Sequence, residues 1–422
     1  MNRVKFTLES RGPINLVKRA HQVLSRFGPT PDRMGKRFDR FMDLLDRYNC
    51  RPSFPITALP MSRNPRFAHR LLERGAELAV HAFTHIDLTT LSLEQQSEHM
   101  GKAIQLFRKD SIPFTGFRAP YLHWNEDTMK VIERYQFRYS SNEVLIWDVI
   151  DREGLSAEQQ DGWEKAKAFY KPLAAEKNFA MPSRRRGFVE IPVSLPDDEI
   201  MLDRMYMKDP ELLGQTWQRI LEKTHARGEL FTLQLHPERI GFFTDALAEV
   251  LATARGKSPS VWLATLDEIA QWWVDKSGNT AEFVRENGEY TAHIKACNGT
   301  SLYLRENGVE RVIETGDIHV RSDNRPCVGV APGSERRAIQ MLQDRGYIVD
   351  VGGGSEDFAI YFGKLDDTSY AVIRTLLDQL DAFAGPLLRF GAWPHGSRSA
   401  MSVTGDIDAL TLWDFLHRFR GA

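Results

Sequence analysis

Two histidines, His81 and His85, close the apolar run Glu77-Leu-Ala-Val80 with three residues between them. On a helical turn, imidazoles at that spacing point the same way and can share one divalent metal. Other polar chemistry also follows apolar runs: Arg118-Ala-Pro-Tyr121, Trp147-Asp148 and Leu233-Gln-Leu-His236-Pro237. An arginine can pair with a carboxylate and keep it ionised. A histidine can carry a proton at neutral pH. Each group falls at the C-terminal end of a predicted strand, where a β/α barrel keeps its active site. Taken singly, each has a structural alternative. The histidine pair can lie on the surface, Arg118 can be a buried salt-bridge partner, Trp147 can be core, and His236 can sit in a polar turn.

The elements that must position these groups alternate from about residue 34 to 275. Phe38, Phe41, Leu44 and Leu45 share one face of a helix over 37–48. Short strands are predicted at 52–56, 77–80, 114–117, 144–147, 188–191, 230–235 and 261–263. Helices over 67–74, 93–109, 127–135, 211–224 and 244–254 separate most of them. Such alternation implies a parallel sheet, here one closed into a barrel. The charged stretch 152–186 has weak periodicity and reads as an insertion over one rim. After Trp272-Trp273 the pattern changes to short alternating strands with Asn287-Gly288 and Asn307-Gly308 turns, then two helices. The organisation predicted is therefore α/β: a barrel over 1–275, a smaller α+β or β-rich domain over 276–395, and a strand-helix segment over 396–422 that returns to the barrel. Gly352-Gly-Gly354 lacks phosphate-loop spacing and reads as a turn.

The chain is long enough at 422 residues for more than one domain, and 27% of its residues are charged. A formal net charge of -2 gives no sign of a nucleic-acid partner or a polybasic membrane anchor. No apolar run reaches the ~20 residues of a transmembrane helix. Cys50, Cys297 and Cys327 are scattered, which fits a reducing compartment and excludes a cysteine-built zinc site. A cytoplasmic protein is the expectation.

The ordered set HxxxH, RxPY, Trp-Asp and Leu-x-Leu-His over roughly 30–275 resembles the polysaccharide deacetylases, the NodB-homology group of metal-dependent carbohydrate esterases. That resemblance implies a distorted (β/α) barrel, a divalent ion such as Zn2+, and removal of acetyl groups from sugar polymers. Members of that family begin with a strand bearing two acidic residues. Here the N-terminal candidate is Glu9-Ser10, and a serine is a poor zinc ligand. A second candidate lies near the other end, in Ala400-Met-Ser-Val-Thr-Gly-Asp-Ile-Asp-Ala409. There an apolar strand pattern ends in Asp406-x-Asp408, ahead of a helix predicted over 410–419. A circular permutation would return this pair to the barrel; alternatively the two aspartates cap the helix.

The resemblance then implies the following roles. Asp408, His81 and His85 are the metal ligands, and Asp406 is the general base, held by Arg118. The Tyr121 N–H donates to the oxyanion, and His236 is the acid, tuned by a carboxylate such as Asp148. Trp147 and Leu235 shape a slot for the acetyl methyl. Asp197 and Asp198 read as a loop cap or a substrate contact. At the position after RxPY the family usually carries glycine, whereas this chain has Leu122-His123, which implies a narrower or differently shaped groove. The substrate class expected is a carbohydrate, an amino-sugar precursor. The alternatives are a cytosolic imidase or ureidase, and a catalytically inactive barrel that binds carbohydrate or serves as a scaffold.

Overall fold

The computed structural model describes residues 26–286, 288–314 and 316–417. The Glu9-Ser10 candidate, Asn287 and the end of the last predicted helix lie outside the described residues. The chain divides into two units. One comprises Met1–Lys257, Leu263–Gln271 and Ala400–Ala422; the other comprises Ser258–Trp262 and Trp272–Ser399.

The first unit is built on β1 (Ser53–Ile56), β2 (Glu77–Val80), β3 (Gly116–Phe117), β4 (Tyr139–Ser140), β5 (Val144–Ile146), β6 (Leu173–Ala174), β7 (Ser183–Arg184), β8 (Val189–Glu190), β9 (Val193–Leu195) and β10 (Leu230–Leu235). β11 (Val261–Leu263) crosses from the second unit's segments into the first's. The sheet is parallel except where β7 meets β8. The strands are short and nearly all buried, as expected of a parallel sheet covered by helices. Helices form where the apolar period predicts them: Asp32–Arg47 buries Phe38, Phe41, Leu44 and Leu45. Leu93–Lys109 starts at a capping box made by Ser92 and Gln95. The 152–186 stretch contains a regular helix, Ala157–Tyr170, of weak amphipathic character, which explains its faint periodicity.

The second unit holds β12 (Thr280–Glu286), β13 (Glu289–Lys295), β14 (Leu302–Glu306), β15 (Val309–Ile313), β16 (Asp317–Arg321), β17 (Arg325–Val330), β18 (Val349–Val351), β19 (Phe358–Phe362) and β20 (Leu387–Phe390). They form three small sheets, two antiparallel (β12-β13-β16 and β15-β14-β20) and one parallel (β18-β17-β19). Asn307 and Gly308, at φ 52° and 76°, make the tight turn from β14 to β15. Gly352 and Gly353 also have positive φ and form a turn after β18. A shared core of Ala292, Leu302, Val320, Cys327 and Leu388 joins the sheets.

β21 (Ser399–Gly405) ends the strand list, and its residues from Ala400 belong to the first unit. In that sheet the order is β6-β5-β9-β10-β21-β1-β2-β3-β4-β8-β7. β21 runs parallel to β10 over the pairs Leu230↔Ala400 to Leu235↔Gly405, and it meets β1 at Ser53↔Thr404. All seven of its residues are buried. The strand near the end of the sequence thus fills the middle of the first unit's sheet. Among the described residues the edge strands are β6 and β7, and the expected distorted barrel is an open, curled α/β sheet.

Candidate active site

β21 delivers its two aspartates at its C-terminal end. The Asp406 N–H donates to Leu235 O, and the Ile407 N–H donates to Pro55 O, so the DxD segment is clamped between β10 and β1. Successive residues of extended chain face opposite ways, and residues two apart face the same way. Asp406 and Asp408 therefore both turn toward the ends of the neighbouring strands.

Asp408 Oδ1 lies 3.3 Å from His85 Nε2 and 3.5 Å from His81 Nε2. Ligand atoms about 2.0–2.2 Å from one tetrahedral zinc stand roughly 3–4 Å apart; Asp408 meets both rings within that range, and the three ligand atoms all lie within 4.8 Å of one another. His81 Nδ1 is 2.8 Å from Arg118 O, which can only accept. Nδ1 therefore carries a proton, and Nε2 is the ring nitrogen turned toward Asp408. Fixing the tautomer through the second ring nitrogen is how metal-binding histidines are held. The donor set of two imidazoles and a carboxylate fits a divalent ion such as zinc.

The two histidines converge by a different route from a helical turn. His81 to His85 is an irregular loop in which Ala82 adopts φ 64°. A left-handed alanine is strained. It is held by the Ala58 N–H on Ala82 O and the Leu59 N–H on Phe83 O. His99, from the helix Leu93–Lys109, accepts the Thr84 N–H at Nε2. Burial lowers the His99 pKa to about 4, so the ring is neutral and can accept.

Arg118 is fully buried. Its Nη1 donates to Asp406 Oδ1 at 2.8 Å and to Thr404 Oγ1 at 2.9 Å. Its Nε and Nη2 donate to Ser141 O and Oγ. The guanidinium is thus oriented along its whole width before it meets the carboxylate. Ser141 is itself held from below: Glu190 accepts the N–H groups of Asn142 and Glu143 at 2.7 Å and the Ser140 hydroxyl. Asn142 Oδ1 accepts the Ala119 N–H at 2.6 Å. Tyr121 follows with φ 62° and ψ 6°, and its ring packs edge-on against His85 at 4.4 Å. His123, beside it, pairs with Asp87 at 2.8 Å and packs against Phe169 of the rim helix at 4.8 Å.

His236 directly follows β10, next to Asp406 in register. Its Nδ1 is 2.9 Å from Asp198 Oδ1. Burial pulls the His236 pKa down, but Asp198 outweighs this and pushes it up to about 9. The imidazole is therefore charged at neutral pH, with Nε2–H available as a proton donor. Asp197, Asp198 and His236 bring three possible ligand atoms together. Asp198 Oδ2, however, also accepts from Arg239, and Asp197 caps the following turn through the Ile200 N–H. This second trio is thus an ion-pair cluster. Burial, then Asp198, pushes the Asp197 carboxyl up to about 7.

Three expected site residues are placed elsewhere. Asp148 is exposed and pairs with Arg152, because the chain turns outward after β5; the carboxylate on His236 comes from the end of β9. Trp147 is fully buried, its Nε1–H on Ser194 Oγ and its face under Arg227, which is core packing and not a slot wall. Leu235 is equally closed off, and its backbone carbonyl, not its side chain, serves the site by accepting from Asp406. Ser141, Asn142, Glu190 and Arg239 carry no motif of their own. The acidic pair after the apolar run Val193-Ser-Leu-Pro196 was the one available signal for Asp198.

Residues 27–140 match the family model described as polysaccharide deacetylase. A peptidoglycan deacetylase-like protein, FGM2, from Gibberella zeae is 31% identical over 107 residues, covering 24% of this chain and 31% of the relative. The chain thus spans about a third of that relative's length. Among solved structures, a chain from Mycobacterium smegmatis described as a polysaccharide deacetylase is 19% identical. The match covers 60% of this chain and 81% of the other, with a TM-score of 0.45. Peptidoglycan deacetylase PdaC from Bacillus subtilis is 14% identical, covering 59% and 89%, with a TM-score of 0.33. The stretch similar to the polysaccharide deacetylase family model, residues 27–140, carries His81, His85, Arg118 and Tyr121.

Proposed function

We propose that the protein is a metal-dependent hydrolase that removes an acetyl group from an amino sugar, producing acetate and a free amine. The observation that carries this reading is the meeting of Asp408 with His81 and His85, with the Arg118-held Asp406 two residues away. His81, His85 and Asp408 would hold one divalent ion, most simply Zn2+. When bound, such an ion lowers the pKa of water and polarises an acyl oxygen.

The protein's own groups supply the proton transfers. Asp406, oriented by the Arg118 hydrogen bond, takes a proton from the attacking water as its oxygen bonds to the acetyl carbon. The Tyr121 N–H, turned by its left-handed backbone, donates to the oxyanion that forms on the carbonyl oxygen. The C–N bond then breaks, and His236 Nε2 gives its proton to the leaving nitrogen. Asp198 on Nδ1 keeps the ring charged until that moment.

The substrate class is an amino-sugar derivative of modest size, since His123 and Phe169 wall the rim beside Tyr121. No helix among the described residues is long and apolar enough to cross a membrane. The three cysteines are unpaired, which fits a reducing compartment, and we place the protein in the cytoplasm on that ground. The test is acetate release from N-acetylglucosamine and its short oligomers by zinc-loaded protein, with and without a chelator. Chelator-sensitive release that is lost in Asp406→Asn supports the reading. Absence of acetate from every substrate with zinc bound would overturn it.

A further inference from the structure

His236, Pro237, Glu238 and Arg239 form a single tight turn in which the Arg239 N–H donates to His236 O at 2.8 Å. In such a turn residues three apart lie on one side, so the arginine and the histidine face the same neighbour. That neighbour is the segment after β9. Arg239 Nη1 donates to Asp198 Oδ2 at 3.1 Å, and Nη2 donates to Asp203 Oδ2 at 2.9 Å. Asp203 is held in turn by Arg26, whose Nη2 reaches both carboxylate oxygens at 2.8 and 2.7 Å. The segment Ile200–Arg204 winds as a π-helix, with the Met205 N–H on Ile200 O. This wide turn presents Asp198 and Asp203, five residues apart, to one guanidinium. Arg239 and Asp203 are 4% and 5% exposed, and Asp198 is sealed.

We propose that Arg239 is a positioning residue: it locks Asp198 Oδ2 so that Oδ1 stays on His236 Nδ1. Asp198, Asp203, Glu238 and Glu199 favour a cation at this place, but its effect on His236 is unfavourable. A fixed positive charge beside an imidazolium repels it and makes it a weaker proton holder. Kept only for its charge, Arg239 would work against a histidine that must stay protonated. Its value lies in the planar fork, which spans two carboxylates that a point charge could not bridge. Without the fork, a buried aspartate with rotational freedom can leave Nδ1, and burial would then drive the ring toward neutrality.

The charge and positioning accounts predict opposite signs. Asp198, Arg239 and Glu238 act most strongly on His236, and Asp197 also interacts with it. The experiment titrates His236 in the full-length protein by NMR of 13C-labelled histidine, with the resonance assigned by its loss in His236→Gln. Arg239→Met removes charge and fork; Arg239→Lys keeps the charge and removes the fork. If Arg239 positions Asp198, both variants lower the His236 midpoint by about one pH unit or more. If Arg239 acts only as a charge, Arg239→Met raises the midpoint and Arg239→Lys leaves it unchanged; either result overturns the proposal. Should Arg239→Met fail to fold by circular dichroism, Arg239→Lys decides alone. The inference concerns the acid of the reaction proposed above. Because the readout is a titration and not turnover, it stands or falls separately from that function.

Discussion

Arg118 Nη1 donates to Asp406 Oδ1 at 2.8 Å, joining residues 288 positions apart in the chain. Both side chains are buried, so the pair is costly to break on one side only. Arg118→Met should destabilise the first unit by ~3–5 kcal/mol, because Asp406 is left as an uncompensated buried charge. The double variant Arg118→Met/Asp406→Leu should recover much of that loss. Urea unfolding of the three proteins measures both effects. Equal destabilisation in the single and double variants would show that the pair is not energetically coupled.

Zinc binding isolates the ligand set from catalysis. Calorimetric titration of metal-stripped protein should give one site per chain. Asp408→Ala and His85→Ala should each weaken it by at least ~100-fold, since each removes a direct ligand where outer-shell changes alone cost ~10–100-fold. Asp148→Ala, at an exposed residue paired with Arg152, should leave the affinity unchanged.

The acid limb of the reaction follows from the His236 environment. Burial depresses its pKa, Asp198 more than restores it, and the result is about 9. A general acid must be protonated, so turnover should fall as pH rises through about 9. In Asp198→Asn burial acts without its counterweight, and the fall should move to below neutral pH. Asp148→Asn should leave the profile in place. A kcat/KM profile across pH 5 to 10 tests all three proteins.

Away from the site, the part-buried Glu77 at the start of β2 accepts from Ser53, Tyr139 and the Asp267 N–H. Burial raises its pKa from 4.5 to about 7. A carboxyl with a raised folded pKa contributes stability that is complete below its unfolded value and is lost as pH rises through the folded one. Stability from this group should therefore decline between about pH 4.5 and 7, by a total of about 3 kcal/mol. Glu77→Gln should be the more stable protein at pH 8.5 and gain nothing at pH 4.5. Denaturant midpoints at the two pH values decide it.

Much of the fold is legible in the apolar periods, because helices such as Asp32–Arg47 and Leu93–Lys109 bury one face each. The buried strand Ser399–Gly405 is legible as an apolar run ahead of Asp-x-Asp, although its place between β10 and β1 depends on long-range pairing. The site is only partly so. HxxxH marks two residues that converge on Asp408, but it suggests a helical turn where the backbone uses a left-handed Ala82, its loop held by the N–H groups of Ala58 and Leu59. Asp148 follows a predicted strand directly, whereas Asp198 reaches His236 through the parallel pairing of β9 with β10. Groups that act by supporting others, such as Glu190 beneath Ser141 and Asn142, leave no periodic trace, because a single buried carboxylate has no spacing to read.

The central position of β21 also bears on how the chain is made. As the protein leaves the ribosome, β1 and β10 both emerge long before the strand that separates them. Synthesis at ~5–20 residues per second puts on the order of ten seconds or more between Leu235 and Ser399. Throughout that interval the nascent first unit carries two bare strand edges in the middle of its sheet, the feature that invites pairing with a foreign chain. Biogenesis, more than the finished fold, is where this strand order exposes the protein to aggregation, and chaperone shielding matters most just before Ala400 is added.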